Sequence, residues 1–310
     1  MRRSPNIYLW CWHDNVSGIP KKTRLPVLRW LTLLIVVVIV ALFSSPAGAS
    51  TPYGLYNVNG HHLFLACAGT GQPTVLLENG LGSDFTSWGP VNYLAGDLKT
   101  EVCSYDRYGV GSSDHPPASS PPRTVDQAVI DLHTLVQVAR VRGPYVLAGT
   151  SMGGLIDREY ARRFPNDVVG MVLLDSAPDD WDLYTGAETF TSNESINVAA
   201  ASAALRRSDQ FGDKPLIVIQ AGDDSTVQAA WASNKSDFKS YWGSRQRALS
   251  RISSNSILVI APGVPHDLIT VLPMGLSVNA MRLVVAAVHE GTRLPACVLT
   301  PLPAHGAKCL

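Results

Sequence analysis

One stretch decides the fold of this chain: Val146-Leu147-Ala148-Gly149-Thr150-Ser151-Met152-Gly153-Gly154. A short apolar run, typical of a buried strand, ends there in Gly-x-Ser-x-Gly, and a helical pattern of apolar residues follows as far as Pro165. A serine on so tight a turn sits in a strained backbone conformation, and the glycines beside it let the strand and the helix approach each other. The stretch predicts a nucleophile elbow, which raises the Ser151 hydroxyl above a sheet, beside the N–H groups of a helix start.

Segments with strand-like and helix-like patterns alternate on both sides of this stretch. Besides the run that ends at the elbow, the predicted strands are 53–58, 61–67, 74–78, 101–105, 168–174, 215–220 and 256–260. Besides the helix after the elbow, the predicted helices are 88–98, 124–141, 198–207, 228–252 and 278–289. This alternation predicts an α/β fold with a mostly parallel, eight-stranded sheet and helices on both faces. The interval 176–214 breaks the alternation, and we expect it to be a short cap or lid insertion.

The first 49 residues differ in composition from the rest of the chain. Basic residues cluster before an apolar run at 30–43, which is shorter than the roughly 18 residues that a spanning helix needs. Ala47-Gly48-Ala49 supplies the small residues that a signal peptidase accepts. We expect residues 1–49 to be a secretory signal peptide or, alternatively, an N-terminal membrane anchor. Residues 50–310 then form one folded domain, which is secreted or otherwise extracytoplasmic.

The charge balance and the cysteine count exclude several classes of protein. Twenty-five basic residues offset 25 acidic ones, so the chain lacks the positive field that attracts nucleic acid. Neither Cys-x-x-Cys nor His-Glu-x-x-His occurs, so we expect no metal and no other cofactor. Four cysteines remain after residue 49, and an even number in an oxidising compartment favours two disulfides over free thiols.

Residues that can carry chemistry follow the ends of the predicted strands. They are Asn79-Gly80-Leu81, Ser151, Asp175, Asp223-Asp224 and His266. The carboxyl ends of parallel strands share one edge of the sheet, where ligands bind. A serine needs a base within hydrogen-bond reach, which His266 can supply, and a carboxylate must then orient the imidazole. The chain therefore predicts a catalytic triad in the order serine, aspartate, histidine.

Three motifs make the chain resemble the α/β-hydrolase superfamily. They are the Gly-Thr-Ser-Met-Gly-Gly elbow, Tyr-Asp-Arg-Tyr-Gly-Val-Gly-Ser-Ser after the fourth predicted strand, and Pro-His-Asp near the end. The resemblance covers residues 53 to 290 and is closest in type to secreted actinobacterial serine hydrolases. It implies the α/β-hydrolase fold, in which the second strand lies beside the fourth. That neighbourhood would pair Cys67 with Cys103, and Cys297 with Cys309 would close a short C-terminal loop.

The resemblance also assigns roles around the serine. It implies that the backbone N–H groups of Leu81 and Met152 form an oxyanion hole. The chain departs from the family pattern at two positions, because Asn79-Gly80 stands where His-Gly is usual and Thr150 where histidine is common. The donors are backbone groups, so these changes need not remove the hole.

The triad acid has three candidates. The superfamily usually places it after the seventh strand, which points to Asp224 or Asp223, and this position is the preferred one. Some members use the end of the sixth strand, which here is Asp175. Two observations favour Asp175: it ends a buried strand, and the Gly222-Asp223-Asp224 spacing is shorter than the usual Gly-x-x-Asp.

These features predict a serine hydrolase that acts on a small-molecule carboxylic ester or other acyl substrate through an acyl-enzyme on Ser151. One alternative is an amidase or a peptidase that removes N-terminal proline, with cap carboxylates binding the substrate amine. Those carboxylates are Asp179, Asp180, Asp182 and Glu188, which equally suit a solvated loop. Another alternative is a non-catalytic surface protein built on the same fold, although such proteins typically lack a member of the triad.

Overall fold

A large sheet and a small one organise the computed structural model, which describes residues 51–268 and 274–310. The predicted signal or anchor, 1–49, lies outside the described residues. The strands, in chain order, are β1 (Tyr53–Val58), β2 (His61–Ala68), β3 (Thr74–Glu78), β4 (Val102–Tyr105), β5 (Arg123–Thr124), β6 (Tyr145–Thr150), β7 (Val168–Leu174), β8 (Thr189–Thr191), β9 (Ser195–Asn197), β10 (Leu216–Asp223), β11 (Ser256–Pro265) and β12 (Lys308–Cys309).

The large sheet has nine strands in the order β1-β2-β4-β3-β6-β7-β10-β11-β12. Its six central strands, from β4 to β11 in this order, run parallel to one another. Every residue of β3, β4 and β6 is buried, as expected for parallel strands that helices cover on both faces. The hairpin β1–β2 turns at Asn59 and Gly60, whose φ angles of 51° and 91° suit the two-residue turn that the sequence predicts.

Helices cover both faces of this sheet. They are α1 (Val91–Leu98), α2 (Val125–Val138), α3 (Met152–Arg163), α4 (Trp181–Thr185), α5 (Ala199–Ser208), α6 (Ser225–Trp231), α7 (Phe238–Leu249) and α8 (Met274–Glu290). One buried cluster packs α2, α3 and the cap against the sheet, and a second packs α1 and α8 against the opposite face. No helix among the described residues combines the length and the apolar character that crossing a bilayer requires.

The predicted fold class is confirmed, and three local predictions need correction. The large sheet has a ninth strand, β12, whose two residues pair with β11 beside the Cys297–Cys309 disulfide. The predicted helix 228–252 is two helices, because the polar segment 232–237 has weak helix propensity and separates α6 from α7. The predicted helix 88–98 begins only after Pro90, behind a short 3-10 turn at Phe85–Trp88.

The interval 176–214 forms a cap whose internal structure the sequence pattern did not reveal. It contains α4, α5 and the short hairpin β8–β9, and the hairpin pairs with β5 in a separate three-stranded sheet. Strands of two or three residues are too short for a periodic pattern to be recognised.

Two disulfides join the four cysteines of the described residues in the expected pairs. Cys67 of β2 and Cys103 of β4 lie directly opposite each other in the antiparallel register, with Cα atoms 4.0 Å apart. Cys297 pairs with Cys309 of β12. The two bridges therefore fasten one internal strand pair and the C-terminal segment.

Candidate active site

Ser151 lies between β6 and α3, at the carboxyl edge of the sheet. Its φ of 54° and ψ of −120° are rare for a residue that carries a side chain. Two glycines make the turn possible: a Cβ on Gly153 would lie 2.7 Å from the Asn79 carbonyl oxygen, and one on Gly149 would lie 2.7 Å from the Gly154 nitrogen. Backbone atoms only 2.7 Å away leave no space for a Cβ, so the elbow requires glycine at both positions.

His266 connects the serine to a carboxylate from a third strand end. It begins a short 3-10 turn directly after β11, and its Nε2 lies 2.9 Å from the Ser151 Oγ. Its Nδ1 lies 2.6 Å from the Asp175 Oδ2. A carboxylate can only accept a hydrogen bond, so Nδ1 carries the proton and Nε2 is left to accept from the serine hydroxyl. The three side chains therefore form one continuous hydrogen-bond chain.

Asp175 is fully buried at the end of β7 and is held by further donors. Its Oδ1 accepts hydrogen bonds from the Ala221 backbone N–H at 3.0 Å and from the Trp242 indole N–H at 2.9 Å. The same indole packs edge-on against the His266 ring, with centroids 5.8 Å apart. Both carboxylate oxygens thus have fixed partners, and only Oδ2 faces the imidazole.

The structure does not bring the two preferred candidates for the acid to the imidazole. The exposed Asp223 accepts a hydrogen bond from the Ser225 N–H at 3.0 Å, and Asp224 is the N-terminal cap residue of α6. Both ring nitrogens of His266 are already occupied by Asp175 and Ser151. Asp224 lies between the end of β10 and the start of α6, whereas Asp175 directly follows β7.

The two backbone groups expected to form an oxyanion hole lie beside the serine. A Cβ on Gly80 would be 3.6 Å from the Ser151 Cβ, so the loop that carries Leu81 passes next to the elbow. Met152 is the first residue of α3, so its N–H has no acceptor within the helix. Asn79 stands where histidine is usual in the superfamily. Its side-chain amide donates a hydrogen bond to the Tyr105 carbonyl at 3.1 Å.

A cavity of about 250 Å³ opens over these residues. Ser151 and His266 line it, together with Thr226 and Asp267, which hydrogen-bond each other at 2.8 Å. The remaining wall is mainly apolar, with Leu81, Met152, Trp181, Phe190, Trp231 and Trp242 among its largest side chains. An apolar wall around a few convergent polar groups is typical of a small-molecule site.

The acidic residues of the cap do not line this cavity. Asp180 pairs with Arg245 at 2.5 Å, and Asp182 pairs with Arg206 at 2.8 Å. Asp179 lies 3.9 Å from the buried guanidinium of Arg158, and Glu188 is exposed. Three of the four cap carboxylates that were candidates for binding an amine are therefore engaged in ion pairs with arginines of the cap, α3 and α7.

Sequence reasoning missed several residues that support the site. Trp242 lies in the predicted helix 228–252, and nothing in the sequence links it to Asp175, 67 positions earlier. Arg107 belongs to the Asp-Arg-x-Gly motif, which supported the family resemblance but did not indicate a role for the arginine.

Among possible metal ligands in the described segments, Cys67, Glu101 and Cys103 lie close together. The disulfide uses both sulfur atoms, so they are not available to a metal.

A buried carboxyl without a hydrogen-bond partner lies behind the elbow. Asp157 of α3 is fully buried, and neither of its carboxyl oxygens is hydrogen-bonded to any group of the described residues. Burial, together with the nearby carboxyl of Glu78, raises the pKa of Asp157 well above its ordinary value. Asp157 therefore keeps its proton to higher pH than an exposed aspartate does.

This raised pKa predicts how stability depends on pH. Above the ordinary aspartate pKa the folded protein binds a proton that the unfolded chain has released, so the free energy of unfolding falls as pH rises towards the raised value. Asp157→Asn cannot ionise and should flatten that fall, which thermal unfolding between about pH 5 and pH 8 would measure. The control Asp97→Asn, an exposed carboxyl on α1, should follow the wild-type curve. An Asp157→Asn curve parallel to wild type would contradict the assignment.

Comparisons with known proteins agree with this architecture. Residues 75–302 match the model of the Alpha/beta hydrolase family. An uncharacterized protein of Bacillus subtilis, YqjL, is 28% identical over 213 residues, which cover 64% of this chain and 79% of the relative. Est1E from Butyrivibrio proteoclasticus, solved with ferulic acid bound, superposes with a TM-score of 0.54 at 15% identity, covering 74% of this chain and 96% of Est1E. A thermophilic esterase from Thermogutta terrifontis gives a TM-score of 0.52 at 20% identity, with 76% and 98% covered.

Proposed function

This chain belongs to the alpha/beta hydrolase family, and from that premise we propose that it is a serine hydrolase of carboxylic esters. The observation that carries the proposal is the hydrogen-bond chain from Ser151 through His266 to Asp175. A hydroxyl, an imidazole and a buried carboxylate in this order are the parts that nucleophilic acyl transfer requires.

The geometry supports a two-step reaction. In the first step the Ser151 Oγ attacks the ester carbonyl while His266 Nε2 takes the hydroxyl proton. The negative charge on the carbonyl oxygen is held by the N–H groups of Leu81 and Met152. The intermediate then expels the alcohol, which receives the proton from His266, and the acyl group stays on the serine. In the second step water attacks the carbonyl carbon of the acyl-enzyme while His266 Nε2 takes its proton. The acid is then released, and the proton returns to the Ser151 oxygen.

The cavity supports a substrate with a small apolar acyl group. Its volume of about 250 Å³ lies below the range of roughly 300–1,000 Å³ that is common for pockets of drug-sized ligands. The cap carboxylates do not line the cavity, and Asp180 and Asp182 are paired with arginines, which favours esters over the positively charged N-terminus of a peptide. A non-catalytic role is disfavoured because serine, histidine and aspartate are all present and in contact.

A series of p-nitrophenyl esters tests this proposal. We expect kcat/KM to be highest for acyl chains of about two to four carbons and to fall for longer chains that exceed the cavity. Trp231, which is 37% exposed and packs edge-on against Phe190, closes one side of the cavity. Trp231→Ala should move the optimum to longer chains, whereas Tyr93→Ala, an exposed aromatic change on α1, should not. Absence of turnover on the whole series would refute the ester proposal, and an optimum at long chains would refute the cavity argument.

We also propose that the folded domain, residues 50–310, acts outside the cytoplasm, behind the signal or anchor of residues 1–49. The two disulfides support this proposal, because such bonds persist mainly in oxidising compartments.

A further inference from the structure

Arg107 is a buried guanidinium whose five N–H groups all have acceptors. Its Nη1 donates to Glu78 at 2.5 Å and to the Asn79 carbonyl at 2.7 Å. Its Nη2 donates to the Gly80 carbonyl at 2.6 Å and to Glu194, and its Nε donates to Glu194 at 3.1 Å. One side chain therefore ties the end of β3 and the following loop to the cap.

The contact with Gly80 acts on the peptide unit that carries the proposed oxyanion donor. The Gly80 carbonyl and the Leu81 N–H belong to the same planar trans peptide, so the two groups point in opposite directions. Arg107 holds the carbonyl side, which fixes the direction of the N–H on the other side. A charged donor on the carbonyl also polarises the peptide and strengthens the hydrogen bond that its N–H can make.

The turn of the cap hairpin holds the next residue of the loop. Glu194 accepts a hydrogen bond from the Gly82 N–H at 2.8 Å, and Asn193 donates to the Gly82 carbonyl at 2.8 Å. A Cβ on Gly82, whose φ is +72°, would lie 2.7 Å from the Ser192 Oγ. Both backbone groups of Gly82 are thus fixed by the cap, on the C-terminal side of Leu81.

We propose that Arg107 and Glu194 are positioning residues, which fix the Leu81 N–H in the oxyanion hole and make that hole depend on the cap hairpin. This inference rests on the proposed function, because it concerns the same reaction. Glu194 holds Arg107 through a bidentate ion pair in which both side chains are nearly inaccessible to solvent. Without the Glu194 charge, the guanidinium has only Glu78 as a charged partner, and it moves off the Gly80 carbonyl towards that carboxylate.

The test is Glu194→Gln, which keeps the shape of the side chain and removes its charge. We expect kcat per titrated active site to fall about 10- to 100-fold, somewhat less than the loss of an oxyanion donor itself causes. KM should change less than about twofold, because the ground-state ester does not use the hole. The inhibition constant of a trifluoromethyl ketone, whose adduct places an oxyanion there, should rise by the same factor as kcat falls. Arg107→Lys, which retains the charge and loses the bidentate contact, should give the same pattern.

Asp182→Asn is the matched control, because Asp182 is also a buried cap carboxylate, but it pairs with Arg206 away from the loop. It should keep wild-type kcat per active site and wild-type ketone inhibition. Hydrogen–deuterium exchange of a peptide covering residues 78–83 should become faster in Glu194→Gln and not in Asp182→Asn.

The outcomes separate this inference from the proposed function. An active wild type in which Glu194→Gln and Asp182→Asn behave alike, in turnover, inhibition and exchange, overturns the positioning role alone. A wild type that neither hydrolyses esters nor binds the ketone overturns both.

Discussion

Replacing Asp175 with asparagine is expected to lower kcat/KM for the best ester by about 10⁴-fold, the scale of loss when a triad carboxylate becomes an amide. The Asp175 Oδ1 accepts from the Ala221 N–H and the Trp242 indole, so the amide oxygen must occupy that position. The amide NH₂ then faces His266 Nδ1 and donates to it. That forces the proton onto Nε2, which can no longer accept the Ser151 hydroxyl proton.

Asp224→Asn is the matched control for this prediction. Asp224 is also poorly exposed, but its side chain makes no capping hydrogen bond, and asparagine is equally suited to a helix N-terminus. Its kcat/KM should remain within a few-fold of wild type, and Asp223→Asn should behave likewise. The measurement compares initial rates of the variants and the wild type on one ester, with enzyme concentrations corrected for folded protein. If Asp224→Asn were the inactive variant instead, the assignment of the acid would be wrong.

Replacing Ser151 with alanine is expected to cause the largest loss, on the order of 10⁵- to 10⁶-fold in kcat, because the nucleophile itself is removed. The fold should be unaffected. Alanine also carries a Cβ at the strained φ of 54°, and among the described residues the Ser151 hydroxyl is hydrogen-bonded only to the His266 side chain. Ser244→Ala, which removes an exposed hydroxyl from α7, should retain full activity. Residual turnover in Ser151→Ala within about tenfold of wild type would show that another group is the nucleophile.

The parts of the site that follow from local sequence were predictable. A Gly-x-Ser-x-Gly turn between a buried strand and a helix specifies its own geometry, since the glycines are needed wherever strand and helix backbones come within contact distance. The alternation of strands and helices gave the parallel sheet, and the sheet brings residues after separate strands to one edge. The proximity of Ser151 and His266, 115 positions apart, follows from these two facts.

Which carboxylate contacts His266 depended on three-dimensional detail that the sequence pattern does not contain. Asp175 and Asp224 both follow buried strands, and only the folded chain shows that Asp175 is the one that contacts the imidazole. No feature of the sequence predicts the φ of 46° at Asp175, the residue whose carboxylate contacts His266. The supporting contacts of Trp242 and Glu194 join segments more than 60 positions from their partners, so only the folded chain reveals them.

We infer that Ser151 is an activated nucleophile. The most direct measurement is labelling of the folded protein with a fluorophosphonate, followed by mass spectrometry of its peptides. We expect one adduct per molecule, located on Ser151, and no adduct in Ser151→Ala. A folded wild type that stays unlabelled, or an adduct that persists in Ser151→Ala, would contradict it.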